Sequence, residues 1–230
     1  IGKQDQFAAA YGGLNFIRFT REGVTVEPIT VPPERLAALE RRLLLFFTGT
    51  ARDSAVILRE QQRASASGTG QTVEGLHRIK AAALACRSCL EAGDLDALGR
   101  LLDEGWQEKR RLVPGITTPR IDEIYATARA NGALGGKITG AGGGGFLLLY
   151  CPEPAQEQLT RAMEGLGLRR MDFHFERQGV AVTEVSWKTP ADLRPPRTGA
   201  LPAVDVRSAP APLSPPVLQA ADPSVPGQLT

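Results

Sequence analysis

The 230-residue sequence has no long hydrophobic segment and no excess of charge of one sign. No apolar run approaches the ~20 residues that a helix needs to span a bilayer. The 27 basic and 25 acidic side chains nearly balance. Because the basic residues are interspersed with acids instead of forming a stripe, the sequence does not indicate a nucleic-acid surface. With 42% hydrophobic residues, the chain has the composition of a globular protein with one sizeable core.

Cysteine and histidine are scarce, with three and two copies. An odd cysteine count does not form a disulfide framework, and it fits a reducing cytoplasm, which is the compartment we expect. Cys86 and Cys89 form a C-x-x-C pair on a predicted helix, but there is no second ligand pair, and neither His77 nor His174 lies at metal-ligand spacing. We therefore favour a helical packing role for the pair over a metal or redox role. Cys151, which ends a predicted strand, is expected to be a small buried hydrophobe.

Proline is sparse in most of the chain, and ten of the 17 prolines fall in residues 190–226. That segment has no apolar period, so it cannot bury enough surface to offset the entropy of ordering. We expect a disordered tail over 188–230. No aromatic or basic anchor accompanies the prolines, which argues against a specific proline-motif ligand.

Glycine is abundant, and its densest stretch is Leu134–Phe146, which contains the four consecutive glycines Gly142–Gly145. A stretch with so few Cβ atoms reaches backbone angles closed to other residues and allows another group to approach the main chain. Because the apolar run Phe146–Tyr150 follows at once, the pattern is typical of a wall of a phosphate site. From glycine content alone, a flexible turn between two strands is about as well supported as a phosphate site.

A second glycine-bearing cluster, 2–15, begins Gly-Lys-Gln-Asp-Gln. Asp5 precedes an Ala-rich segment that favours helix, and Gly12-Gly13 is expected to end this helix. A carboxylate in a first helical turn is stabilised by the positive helix end. Considered alone, Asp5 is therefore more simply interpreted as a capping residue than as a catalytic one.

The sequence pattern predicts an α+β protein. The hairpin, formed by the alternating runs 15–19 and 24–29, precedes Pro32-Pro33, which marks the start of a new unit. The other predicted elements are a turn or short helix over 36–39, a buried strand over 43–47, helices over about 52–64, 73–92, 95–113 and 120–131, a strand over 146–151, a helix over 155–166 and strands over 169–175 and 180–185. A strand–helix–strand–strand succession covered by helices suits a ferredoxin-like layer.

Taken together, the two glycine-bearing clusters resemble the GHMP small-molecule kinase superfamily, which carries a Gly-x-x-Asp-Gln segment and a late Gly-x-Gly-Gly-Gly loop. Segments 43–49, 52–54 and 104–110 are similar to its sugar-kinase branch, so the resemblance covers roughly residues 1–186. It implies the end of a ribosomal-S5-like N-terminal domain in 1–31 and a ferredoxin-like GHMP kinase C-terminal domain in 32–187. A disordered Pro/Ala-rich tail would occupy 188–230.

The resemblance implies ATP-dependent phosphorylation of the anomeric hydroxyl of a sugar, with Mg²⁺ bridging the nucleotide phosphates. The expected sugar is D-glycero-D-manno-heptose 7-phosphate, with galactose or fucose as the alternative. Asp5 would be the catalytic base. The phosphate region would contact Gly140, Ala141, Gly142, Gly143, Gly144 and Gly145.

A substrate that already carries a phosphate needs a fixed cation. Arg52 is the first candidate, with Lys3 and Lys137 as weaker ones, although Arg52 is equally well interpreted as a solvated arginine at a helix start. Two other sets of side chains are expected to be structural. Trp106 and Tyr125 are expected in the core, and Lys109-Arg110-Arg111 on a solvated helix face.

The Pro-x-x-x-Gly-Leu-Gly-Ser-Ser loop, which cradles nucleotide phosphates in this family, does not occur in these residues. Because the chain opens at Ile1 within a motif, we expect further sequence upstream and little or no kinase activity from the 230 residues alone. An alternative of a different class is a non-catalytic regulatory or interaction module built on a ferredoxin-like layer.

Overall fold

A computed structural model describes residues 3–49, 54–66 and 70–183. The described residues form two compact units, one built on Pro28–Glu176 and the other on Gln4–Glu27 with residues 177–183. The elements, in chain order, are α1 (Gln4–Tyr11), β1 (Asn15–Phe19), β2 (Val24–Pro28), α2 (Pro33–Arg42), β3 (Leu43–Phe47), α3 (Ser54–Ala66), α4 (Gly70–Ala92), α5 (Leu95–Leu112), α6 (Pro119–Ala130), β4 (Gly135–Ile138), β5 (Phe146–Tyr150), a 3-10 turn (Glu153–Ala155), α7 (Gln156–Gly165) and β6 (Arg169–Met171).

The smaller unit contains α1 and the β1–β2 hairpin. As predicted, α1 ends at Gly12 and Gly13, which have φ angles of 62° and 68°, a region that favours glycine. The amide of Val180 donates to the carbonyl oxygen of Ala10 at 3.1 Å, so an irregular segment closes on the end of α1. The strand predicted over 180–185 is wrong for 180–183, the part that the structure describes, because Val180 and Val182 are 71% and 84% exposed.

The larger unit contains a four-stranded antiparallel sheet in the order β4-β5-β3-β6. With α3–α6 after β3 and α7 after β5, the chain follows the β-α-β-β-α-β succession of ferredoxin-like layers. Two predicted boundaries were wrong. β6 ends at Met171 instead of residue 175, where the amide of Phe175 donates to Glu40 Oε2 at 2.7 Å instead of to a strand. The short element predicted over 36–39 is the ten-residue helix α2.

Strand β4 was not predicted, because its sequence Gly-Gly-Lys-Ile has little intrinsic preference for strand. It forms by pairing with β5, Lys137 opposite Leu148, and by lying against α5. A Cβ atom at Gly135 would lie 2.0 Å from the carbonyl oxygen of Gly99 in α5, and one at Gly136 would lie 2.3 Å from that of Leu148. Glycine at these positions therefore permits contact that any side chain would prevent.

The main core contains buried side chains from one face of the sheet together with residues of α5, α6 and α7. Its members include the inward-facing residues of the strands, which are Leu44, Phe46, Ile138, Leu147 and Leu149. Trp106 and Tyr125 are almost fully buried, and so is Cys151, which confirms the predicted core roles of all three. The helix predicted over 95–113 is confirmed as α5, and Asp94 caps its start, since its carboxylate accepts from the amide of Ala97 at 2.9 Å.

Candidate functional site

The segment Thr139–Gly145, called the glycine loop below, joins β4 to β5. Its glycines occupy a region of backbone conformation that side chains with a Cβ atom rarely adopt. The φ angles are 71°, 113°, 78°, 145° and 91° at Gly140, Gly142, Gly143, Gly144 and Gly145. The path of the loop therefore depends on glycine at each of these five positions.

Three hydrogen-bonded anchors hold the glycine loop. At its end, the backbone amide and the hydroxyl of Thr48 both donate to the carbonyl oxygen of Gly145 at 2.9 Å. In its middle, the amide of Gly143 donates to the carbonyl oxygen of Ile116 at 2.8 Å. At its start, the amide of Thr139 donates to the carbonyl oxygen of Phe146 at 2.9 Å. The loop is thus a turn between two strands, but a fixed one.

One side of the glycine loop is open. A Cβ atom placed at Gly140 or Gly145 would have no neighbouring atom within 4 Å. The amides of Gly144 and Gly145 donate no hydrogen bond to any residue that the structure describes. Successive backbone amides in such left-handed turns form concave sites for anions, so the loop is suited to contact phosphate oxygens.

Lys109, near the C-terminal end of α5, is a residue of this site that sequence reasoning missed. Its ammonium donates to the carbonyl oxygen of Gly140 at 2.5 Å. The prediction that Lys109-Arg110-Arg111 is a solvated face holds only for Arg111, since Lys109 is half-buried and Arg110 lies 2.9 Å from Asp122. A signal was present, because residues three or four positions after the buried Trp106 share its side of the helix.

Lys109 and Lys137 are electrostatically coupled. Burial, together with the smaller effect of the positive charge of Lys137, lowers the pKa of Lys109 to about 8. Lys137 is half-buried and follows Gly135 by two positions on the strand, so both residues point to the α5 side of β4. Within the described ranges, neither lysine has a carboxylate oxygen within 4.0 Å.

A buried hydrogen-bond network supports β4, the strand that precedes the glycine loop. The hydroxyl of Tyr125 donates to Asp103 Oδ1 at 2.7 Å and lies 3.4 Å from the carbonyl oxygen of Gly136. Asp103 also accepts from Gln107 at 3.1 Å and pairs with Arg129 at 3.6 Å. Burial and the bond to Asp103 both raise the pKa of Tyr125, which stays protonated and joins α5 and α6 to the strand.

The roles of the other predicted site residues, Asp5, Lys3 and Arg52, stay predictions. Asp5 is exposed in the first turn of α1, in the smaller unit, and Lys3 is exposed just before it. The glycine loop belongs to the larger unit, so its meeting with Asp5 stays a prediction. Arg52 lies outside the described residues. Burial raises the pKa of Cys86 to about 11, with Cys89 and Glu104 adding to the effect, so its thiol is not activated.

Residues 81–167, which run from α4 through the glycine loop to the end of α7, match the family model for the GHMP kinases C terminal domain. The fold of the larger unit agrees with this match, since it is an α+β layer whose glycine loop is fixed between two antiparallel strands. The chain therefore contains a GHMP kinase C-terminal domain.

Two individual relatives align with most of this chain. The chain is 31% identical over 188 residues to D-glycero-alpha-D-manno-heptose 7-phosphate kinase of Campylobacter jejuni, an alignment that covers 81% of this chain and 54% of that protein. It is 28% identical over 169 residues to the bifunctional fucokinase/GDP-fucose pyrophosphorylase of Arabidopsis thaliana, covering 71% of this chain and 16% of that protein.

A solved structure of a heptose kinase is also similar to this chain. The crystal structure of a D-glycero-D-manno-heptose 1-phosphate kinase from Bacteriodes thetaiotaomicron matches with a TM-score of 0.55 and 28% identity, covering 80% of this chain and 50% of that one. The chain thus spans about half the length of the heptose kinases that it matches. Among the helices that the structure describes, none combines the length and apolarity needed to cross a membrane.

Proposed function

We propose that this chain is part of an ATP-dependent kinase that phosphorylates the anomeric hydroxyl of a sugar. The observation that carries the proposal is the glycine loop of a GHMP kinase C-terminal domain, fixed at three anchors, with open amides and two lysines beside it. Phosphoryl transfer depends mainly on positioning the reactants and neutralising negative charge. A fixed set of amide donors beside ammonium groups serves both requirements.

Within this proposal, the segment Gly140–Gly145 contacts the transferred phosphate, and Asp5 accepts the proton of the sugar hydroxyl as the new bond forms. Such general-base assistance is worth about 10²–10⁴-fold in rate. ATP supplies the phosphoryl group when bound. Among the described residues, no group of three or more His, Cys, Asp or Glu side chains lies close enough to hold a metal, so we assign no ligand here to Mg²⁺.

We propose D-glycero-D-manno-heptose 7-phosphate as the acceptor, because relatives named as heptose kinases align over most of the chain. Arg52, Lys3 and Lys137 are the candidate partners of its phosphate. Galactose or fucose is the alternative acceptor, and the fucokinase relative supports it. A panel of sugars with and without the distal phosphate, repeated with Arg52→Ala, separates these substrates. Equal rates on unphosphorylated sugars would reject the heptose phosphate.

The domain division stays part of the proposal, with the end of a ribosomal-S5-like domain in 1–31 and the kinase C-terminal domain in 32–187. The segment 188–230, predicted to be a tail, lies outside the described residues. We expect the 230 residues alone to transfer little or no phosphate, since the family's Gly-Leu-Gly-Ser-Ser sequence does not occur in them. Measurable, sugar-dependent ATP turnover by the purified chain would contradict this expectation.

The decisive experiment is Asp5→Asn in the protein that carries these residues. We expect the mutant to lose most of its turnover, about 10²-fold or more, while its nucleotide affinity stays within about twofold. Asp172→Asn, which changes another exposed aspartate in the same way, should leave both unchanged. An unchanged rate in Asp5→Asn would exclude the catalytic role, and no sugar-dependent turnover in any form would favour the non-catalytic module.

A further inference from the structure

The two lysines beside the glycine loop have a feature that the family assignment does not explain. Like charges are placed close enough for Lys137 to lower the pKa of Lys109. Holding two ammonium groups together at a partly buried site without a counter-charge is unfavourable. A protein that keeps two such groups together, at a loop with open amides, provides the charge that a bound anion needs.

The backbone explains how the lysines meet. Gly135 lies against Gly99 and Asp103 of α5, whereas Gly140 lies at Lys109, further along the same helix. β4 and α5 therefore advance in the same direction. Lys137, between these two contact points and on the α5 side of the strand, extends beside the last turns of the helix.

The acidic residues of α5 do not neutralise the pair. Asp103 is engaged by Tyr125, Gln107 and Arg129. Glu108 is engaged by Arg78 at 3.3 Å and by Arg111 at 3.8 Å.

Glu104 is exposed and forms no ion pair with either lysine. Its charge raises the pKa of Cys86, whereas that of Lys137 lowers it. The hydrogen bond from Lys109 to Gly140 is itself exposed to solvent. An ammonium group carries three donors, so Lys109 keeps two for a ligand.

We propose that Lys109 and Lys137 form a phosphoryl-binding subsite on the glycine loop, and that Lys109 is also a positioning residue that fixes the loop through the carbonyl of Gly140. The ligand is a phosphoryl dianion. Its source is either the phosphate monoester of a sugar phosphate or the terminal phosphate of a nucleotide. This inference rests on the proposed function for its biological meaning, but the binding itself is measured without turnover.

The test is a phosphate titration of the ¹⁵N-labelled 230-residue chain, followed through the amide signals of Gly140–Gly145. Inorganic phosphate should shift these signals with a Kd of about 1 mM or lower. Lys109→Met and Lys137→Met should each weaken binding about tenfold or more, since each removes a charge-assisted hydrogen bond. Lys80→Met, which removes an exposed lysine of α4, should change the Kd less than twofold.

Hydrogen exchange separates the two roles of Lys109. Lys109→Met should speed amide exchange in the glycine loop several-fold, because the loop loses its contact at Gly140, whereas Lys137→Met should leave exchange unchanged. Lys109→Arg should restore most of the phosphate affinity. Lys109→Met is expected to fold, because its side chain removes a buried charge while keeping an apolar stem, and Lys109→Gln repeats the test if it does not.

Two further ligands identify the source of the phosphate. A hexose 6-phosphate that shifts the loop signals, when the free hexose does not, assigns the subsite to the sugar phosphate. A shift that is seen with a non-hydrolysable ATP analogue and not with the hexose 6-phosphate assigns the subsite to the nucleotide. The inference is overturned if phosphate at about 10 mM does not shift the loop signals. It is also overturned if the Lys109 and Lys137 variants bind phosphate as tightly as Lys80→Met.

The outcome is distinguishable from that of the function proposed above. Lysine-dependent phosphate binding, together with an unchanged rate in Asp5→Asn, would keep the subsite and reject the kinase mechanism. Turnover that depends on Asp5, without phosphate binding by the lysines, would do the reverse.

Discussion

Two pairs of glycines in the same glycine-rich segment serve opposite physical purposes. Gly135 and Gly136 lie in a strand with ordinary backbone angles, and a Cβ atom there would be 2.0 and 2.3 Å from backbone carbonyl oxygens. Gly140 and Gly145 lie in open space, with φ angles of 71° and 91°. Glycine is required in the first pair because neighbouring atoms leave no room for a Cβ atom, and in the second pair because of the left-handed backbone angles. A glycine-rich segment therefore contains two kinds of constraint that composition does not distinguish.

The largest expected effect tests the strand pair. Gly135→Ala should lower the free energy of unfolding by about 3 kcal/mol or prevent folding, because the new methyl group would overlap the backbone of α5. Chemical denaturation followed by circular dichroism measures the change. Gly105→Ala makes the same substitution within α5 at a site with no atom within 4 Å, and it should raise stability by about 0.5–1 kcal/mol. Similar stability in the two variants would show that the close contact is not real.

A second prediction tests the hydrogen-bond network that supports β4, the strand that contains the first pair of glycines. Tyr125→Phe should destabilise the chain by about 1–3 kcal/mol, because Asp103 loses its donor in a buried network that holds β4 in place. The same denaturation measurement applies. Tyr11→Phe, at a side chain that is 37% exposed, is the control and should change stability by less than about 0.5 kcal/mol.

The loop pair should respond differently. Gly140→Ala should destabilise by about 1–2 kcal/mol, the strain of a left-handed backbone with a Cβ atom, since no neighbour is displaced. Gly140→Asn should cost less, because asparagine tolerates this conformation. If Gly140→Ala and Gly140→Asn destabilise equally, and as much as Gly135→Ala, then packing and not backbone angle governs both pairs.

The last prediction concerns how stability depends on pH through the lysine at the loop. The pKa of Lys109 is lowered to about 8 in the folded chain, below its value of about 10.4 when unfolded. Between these values the unfolded state binds more protons, so this group makes stability rise with pH from about 8 to about 10.4. The stability of the wild type relative to Lys109→Met should therefore increase over this range. Lys80→Met controls for the loss of one positive charge, and a flat difference for Lys109→Met would contradict the lowered pKa.

Regular elements were predictable wherever local signals agreed. The helix that begins at Asp94, the buried strand Leu43–Phe47 and the glycine stop after Tyr11 follow from capping, apolar runs and backbone freedom. β4 was not predictable, because its glycines oppose strand formation locally and only the contact with α5 stabilises it. The strand prediction was wrong at 180–183 for the converse reason. Alternating valines form a strand only where a partner strand and a core are available to pack against them.

The candidate site was predictable in part. The glycine loop could be located because glycine is itself the signal, and Lys137 because it lies within the same segment. The spacing of Lys109 from Trp106 indicates that it lies on the buried side of α5, but its contact with Gly140 depends on how far α5 runs alongside β4, which is a tertiary distance. The anchors at Thr48 and Ile116 are equally remote in sequence from the loop that they hold.

The short strand at the end of the sheet has a consequence for solubility. β6 is three residues long, and its first two residues, Arg169 and Arg170, are exposed. Brief outer strands that carry charge resist the pairing of one molecule's sheet with another's. A sheet that ends in such a strand can keep an apolar interior without recruiting neighbouring copies into aggregates through this border.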